Sequence, residues 1–328
     1  MRRTVLNQIT LAAASGFAAA SGVWPRAGQA QTWPDKPVNV IVPFPPGAVD
    51  SLARLVGAKA SASLGQPLVY RNVAGAGQRI GIEQVARSAR DGYTLGVITN
   101  SGFIVGPVLA ARATYDPIQD FTVISRCTEA GYVLAVRPEL GVRSVADLMA
   151  RARARPGEVK VGSAGIGSAM HLLAEQMMGA AGIQLNHIPY KGEAPMVTDL
   201  LGGQIDMAFT TSAGGKAHFE SGKLLALATS SAERSNAQPQ VPTLRESGVD
   251  AVSVSWLGFA APAGIPGPVR ERLVAAFSQA ARDPEVVAAI QRIGSQAREL
   301  SGDAFAAAVK QEVSDLRELN KKLRLALE

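Results

Sequence analysis

Two short glycine-bearing segments hold the residue types best suited to chemistry. Phe44-Pro45-Pro46-Gly47-Ala48-Val49-Asp50 follows the apolar run VNVIVP, and Ala164-Gly165-Ile166-Gly167-Ser168 follows VKVGS. Small, bend-permitting residues between a strand end and a helix start leave backbone N–H groups free beside the positive end of a helix dipole. Two such turns facing one another would hold an anion without Arg or Lys. Either turn alone is explained by tight βα connection; their matching places in two halves of the chain favour binding. Asp50 could cap its helix, and its charge would repel an anion unless water or a ligand donor lies between. Ser163 and Ser168 offer hydroxyls, and Ser168 suits an N-cap equally well.

Other candidates stand at neighbouring strand ends. Thr99, Asn100 and Ser101 close the run TLGVITN, Tyr190-Lys191-Gly192 closes LNHIPY, and Thr210-Thr211 closes IDMAFT. Lys191 could add charge to a ligand site or simply face solvent. His171 falls one turn into its helix, facing a cleft or packing; His187, in mid-strand, reads as a core histidine. Gly75-Ala76-Gly77-Gln78-Arg79-Ile80-Gly81 has a G-x-G-x-x-x-G pattern but not the dinucleotide spacing, and no acid follows the next strand. Catalytic motifs are missing: no G-x-S-x-G, no H-E-x-x-H, no P-loop. Ser168, His171 and Asp50 could form a hydrolase set only across a cleft, with Ser168 and His171 three apart on one helix, which is not the usual nucleophile geometry. Three His and one Cys leave no ligand set for zinc, and Cys127, inside FTVISRC, reads as a small core residue. The expectation is a site with no metal, no cofactor and no catalysis.

The elements that must position these groups alternate. Strands are read at 37–43, 67–73, 94–100, 159–163, 185–190, 205–210 and 224–230. Helices are read at 49–65, from about 78 to 88, and at 144–154, 168–182 and 194–203. Strand–helix alternation implies parallel sheets. Two α/β blocks emerge, connected by extended stretches at 121–138 and 252–264, and three helical segments follow, the last at about 302–327. Two doubly wound α/β lobes joined by a two-strand hinge explain this order. Residues 31–131 and 256–328 form the first lobe, 132–255 the second, and the ligand cleft lies between.

Composition agrees. The chain has 328 residues, 47% apolar, with 33 Gly and 19 Pro, a loop-rich globular composition with a sizeable core. Charged residues at 18% and aromatics at 5% are too few for a disordered tail or a base-stacking surface. The net charge of +6 shrinks when residues 1–30 are set aside. Their Arg2, Arg3 and Arg26 go with no acid, which leaves 30 basic against 27 acidic residues. A balance of +3 gives no footprint for nucleic acid. The first thirty residues join a basic start, an apolar run too short and too small-residue-rich to span a membrane, and Gly28-Gln29-Ala30. This reads as an export signal cut near Ala30. Arg2-Arg3 fits a twin-arginine signal and an ordinary secretory signal equally. The mature chain is expected in the periplasm, and one cleft per chain is expected to work as a monomer.

The blocks WPDKPVNVIVPFPPGAVDSLAR, NVAGAGQRIGIEQVARSARDGYTL, VGSAGIGSAMHLLAEQ, HIPYKGEAPMVTDLLGGQIDMAF, GKLLALATSSAERS, VPTLRESG and WLGFAAPAGIP resemble, in order, the extracytoplasmic solute receptors of tripartite tricarboxylate transporters, the Bug family. The resemblance implies a periplasmic-binding-protein-like fold that closes on a small carboxylate and delivers it to a permease with a large and a small membrane subunit. It implies that Phe44, Pro46, Gly47, Ala48 and Asp50 face Ser163, Gly165, Gly167, Ser168 and His171 across a carboxylate. Thr99, Asn100, Tyr190, Lys191 and Thr210 complete the expected ligand set. Two positions depart from the family. Ala48 stands where P-G-G is usual, which affects pocket size, and Thr210-Thr211 stand where an Asp or Asn often follows the residue matching Phe209. Competing readings are a receptor that signals to a membrane sensor, and a periplasmic hydrolase.

Overall fold

In the computed structural model residues 33–236 and 238–323 are described; the export-signal reading of residues 1–30 lies outside them. From Pro34 onward the chain builds one unit with two sheets. The first three strands are β1 (Val38–Val42), β2 (Leu68–Asn72) and β3 (Thr94–Thr99), separated by α1 (Ala48–Leu64) and α2 (Arg79–Ala86). β1 is buried at four of its five residues, as expected of a β-branched run covered on both faces. α1 stops because Gly65 turns left-handed (φ 76°) and returns its N–H to the Ser61 carbonyl. A π-helical turn at Ser101–Val105 and the short α3 (Gly106–Leu109) lead to the long β4 (Phe121–Gly131).

After Tyr132 the chain enters the second sheet through β5 (Val133–Val136). It continues through α4 (Val145–Ala154), β6 (Lys160–Ser163), α5 (Ala169–Ala181) and β7 (Asn186–Pro189), then α6 (Glu193–Leu201), β8 (Met207–Thr210), α7 (Ser212–Glu220) and β9 (Leu225–Thr229). It returns to the first sheet as β10 (Val254–Pro262), followed by α8 (Gly267–Ala281), α9 (Pro284–Arg292), β11 (Gln296–Ser301) and α10 (Gly302–Leu323).

The sheet orders are β11-β4-β10-β3-β1-β2 and β7-β6-β8-β5-β9. The parallel reading holds for β2-β1-β3 and β7-β6-β8. It fails beyond them: β10 is antiparallel to β3 and β4, and β5 is antiparallel to β8 and β9. The strands that cross between sheets enter each one from the opposite end, so both sheets are mixed. Ser230 knots the two crossings together. Its N–H donates to the Tyr132 carbonyl at 2.8 Å, its hydroxyl accepts from the Tyr132 N–H at 2.8 Å, and its carbonyl accepts from the Ser253 N–H at 3.0 Å.

Each sheet has its own core. Phe209, Met207, Leu148 and Leu200 belong to the second; Phe103, Ile98, Trp256 and Phe305 to the first. Leu172 of α5 is the exception, because it packs into the first sheet's cluster. Cys127 is fully buried in β4, where burial pushes its thiol up to about 12.

Candidate functional site

Both glycine-bearing turns leave the carboxyl end of a parallel strand and open a helix, one in each sheet. The first runs from β1 to α1, whose N-cap is Gly47. It is braced from below by Asn72 at the end of β2. The Asn72 amide donates to the Phe44 carbonyl at 2.9 Å and to Asp50 Oδ1 at 3.1 Å. Arg54, one turn into α1, donates through Nε to both Asp50 oxygens at 3.0 and 2.9 Å and through Nη2 to Asn72 Oδ1 at 3.1 Å. Asp50 is therefore not a cap. Arg54's hydrogen bonds, against the opposing effect of burial and with help from Asn72, hold its carboxyl below the usual range. The repulsion that Asp50 would exert on an anion is answered by Arg54.

The second turn, β6 to α5, is a closed network. Ser163, fully buried, bonds through Oγ to His187 Nε2 at 2.7 Å, accepts from the Gly165 N–H at 3.2 Å and reaches the Gly165 carbonyl at 3.1 Å. The Gly167 N–H donates to His171 Nδ1 at 3.0 Å, so the proton of His171 resides on Nε2, 3.5 Å from Glu175. Ser168 is the N-cap, accepting from the His171 N–H at 3.2 Å. The rings of His171 and His187 stack at 4.1 Å and 15°. Burial lowers both, against the pull of Glu175 for His171, while the neighbouring His171 helps take His187 down to about 4. Gly165 (φ 132°) and Gly167 (φ 73°) take conformations that side chains resist. Their N–H groups are thus committed inside the turn. The N–H groups of Ile166, Ala169 and Met170 have no hydrogen bond among the described residues, while those of His171 and Leu172 are taken by Ser168.

The remaining candidates sit around these turns. Gly165 abuts the Tyr190 carbonyl: a Cβ there would lie 3.3 Å from it. The Tyr190 hydroxyl is drawn away to Asp199 at 2.8 Å, and burial with that carboxylate pushes it up to about 12. Lys191 is exposed. Thr99 donates to Gln78 Oε1 at 2.8 Å, and Asn100 to the Val254 carbonyl at 2.6 Å, with its Oδ1 buried and unpaired. Thr210 is fully buried and its hydroxyl approaches the Val133 carbonyl at 3.5 Å, so the expected neutral hydroxyl for a ligand is turned inward. Thr211 caps α7 and binds Glu193, whose carboxylate takes the Thr211 N–H at 2.6 Å. Among the described residues no hydrogen bond joins the two turns to each other.

The sequence reading did not single out Arg54, Asn72 or Gln78, whose side chains brace these loops, and it took His187 as a core histidine without its partner. Its partnership with Ser163 follows from the register of β6 and β7, in which Val161 faces His187 and Ser163 faces Pro189. A cavity of about 370 Å³ lies on another side of α5, lined by Leu172, Gln176, Val254, Glu312 and Leu316. Of the expected site residues it takes in only Asn100, and neither glycine turn. The hydrolase arrangement is not formed: Ser168 caps a helix, the His171 ring serves Gly167, and Asp50 serves Arg54.

Two mixed α/β sheets joined by two crossings, with matched turns at their strand ends, define a periplasmic-binding-protein fold. Residues 52–325 match the family described as tripartite tricarboxylate transporter family receptor. The chain is 36% identical over 293 residues to the protein BugT of Bordetella pertussis, covering 88% of this chain and 90% of that protein. The structure of the periplasmic binding protein BugD superposes with a TM-score of 0.75 at 32% identity, covering 90% of this chain and all of the other. An R. palustris protein solved with adipate gives 0.78 at 30% identity, covering 90% and 99%. The chain belongs to the tripartite tricarboxylate transporter receptor family. Proteins of this kind are periplasmic solute-binding proteins rather than enzymes, and work with membrane permeases.

Proposed function

We propose that this chain captures a small carboxylate between the Phe44–Asp50 and Ser163–His171 turns and delivers it to a permease with one large and one small membrane subunit. The observation that carries this reading is the pairing of two helix-opening turns, one per sheet, whose polar side chains are already satisfied internally. What they leave for a solute is backbone N–H at the positive ends of α1 and α5. The adipate bound by the R. palustris relative supports the same ligand class.

Residues 31–131 and 256–328 would move as one lobe and 132–255 as the other, hinged where Ser230 ties the crossings. The receptor would act as a monomer, exported by a signal cut near Ala30. Gly47→Val and Gly165→Val test the site by calorimetric titration with the preferred acid. Crowding the backbone approach weakens binding about tenfold or more in either variant, and unchanged affinity in both, with folding verified, would reduce the turns to scaffold.

A further inference from the structure

The segment Gly75–Gln78 between β2 and α2 has no part in the function so far derived, yet it is the most strained backbone described. Ala76 (φ 45°) and Gln78 (φ 79°) are the two non-glycine residues with positive φ among the described residues, and Gly77 between them is at φ 60°. Three left-handed residues in a row persist only where the surroundings over-determine them. Here Gln78 accepts from Thr99 at 2.8 Å and lies against Gly102, where a Cβ would come within 2.5 Å of its Oε1. Gly81 is pressed on the first turn, where a Cβ would come within 2.9 Å of Pro43 Cβ. The loop is thus clamped between the first turn and the end of β3. Just after it, in the first turn of α2, stands Ile80, 51% exposed, with its Cδ1 against Gly75.

The second glycine turn also carries an open aliphatic side chain. Gly165 and Gly167 flank Ile166 with positive φ and hold it outward, 59% exposed. Large aliphatic side chains this open are few: Val69 and Leu201 complete the set among the described residues, on β2 and α6. Meanwhile the polar side chains around the turns have internal partners: Asp50 with Arg54, Ser163 with His187, Tyr190 with Asp199, Glu193 with Thr211, Thr210 with Val133. The cations of these loops, Arg79 and Lys191, are exposed at the surface. A closed cleft would strip water from a second carboxylate without a built partner, and an unpaired buried charge is strongly disfavoured.

We infer that the solute is a monocarboxylic acid with an apolar body, its chain or ring covered by Ile80 and Ile166. This inference rests on the carboxylate reading above. Hexanoate and adipate separate the two, because they share six carbons and differ only in the distal group. With ligand-stripped protein, calorimetric titration should show hexanoate tighter than adipate and malate by about tenfold or more. Ile80→Ser and Ile166→Ser, both at exposed positions where folding tolerates change, should each weaken hexanoate about four- to tenfold, the effect of withdrawing a methylene or two of apolar contact. Adipate binding as tightly as hexanoate, and losing that affinity in Lys191→Met, would overturn the inference and assign the distal end to Lys191, with the carboxylate reading intact. Failure of hexanoate, adipate and malate alike would remove both.

Discussion

Asn72 holds the Phe44 carbonyl and Asp50 with one amide group while its own oxygen takes Arg54. Asn72→Ala leaves a half-buried carbonyl and carboxylate short of a donor, and a cost of about 1–2 kcal/mol in denaturant unfolding is expected. The stacked histidines make a pH prediction. His187 has a folded value of about 4 against 6.5 for a free imidazole, so the unfolded chain takes its proton first as pH falls. The stability this pair contributes is fully present above about pH 6.5 and is lost toward pH 4, by about 1–3 kcal/mol. Groups facing the pair are Glu175 on His171 and Ser163 on His187. His187→Phe keeps the stacking surface and removes the titration, so its melting temperature should vary less between pH 6.5 and 4.5. An unchanged profile would mean that His187 is not the titrating group.

At the scale of elements, the α5 start depends on Ser168. Ser168→Ala removes the acceptor for the His171 N–H, and a loss of about 1 kcal/mol is expected, read from the shift of the urea midpoint. The turns and most elements were legible because β-branched runs alternate with amphipathic stretches that end at Gly65 and Gly182, both left-handed here. The rest was hidden for identifiable reasons. α7 begins Ser-Ala-Gly-Gly, weak helix formers held by the Thr211 cap. β11, Gln-Ala-Arg-Glu-Leu-Ser, is a half-exposed edge strand without an apolar run. The π-helical turn at Ser101–Val105 has no period to read. The stack of His187 on His171 depends on the pairing of β7 with β6, which no single segment encodes. Nor does a segment encode which way the strand-end hydroxyl of Thr210 turns, here toward the Val133 carbonyl.

At the scale of the whole molecule, the crossings at Gly131–Tyr132 and Ser253–Val254 are where the proposed hinge would lie. Gly131 is tightly enclosed: a Cβ would fall 2.3 Å from Thr229 Oγ1 and 2.7 Å from the Ser231 N–H nitrogen. Gly131→Ala forces these crossings apart and should cost about 1–3 kcal/mol. Leu172 adds an apolar contact between the halves, independent of solute. Closure on solute should reduce the radius of gyration in solution scattering, and an identical value at saturation would contradict the hinge.

The claim beneath all of this is that a carboxylate, held by backbone amides, is what the receptor recognises. Thermal unfolding of ligand-stripped protein with its preferred acid, and with the primary amide of the same acid, tests it most directly. At 100 times its dissociation constant the acid adds about 2.7 kcal/mol, a rise of roughly 5 °C or more for a chain of this size. A shift with the acid and none with the amide is the predicted result. Equal shifts with both would show that the charge of the head group is not read, and the carboxylate clamp would be wrong.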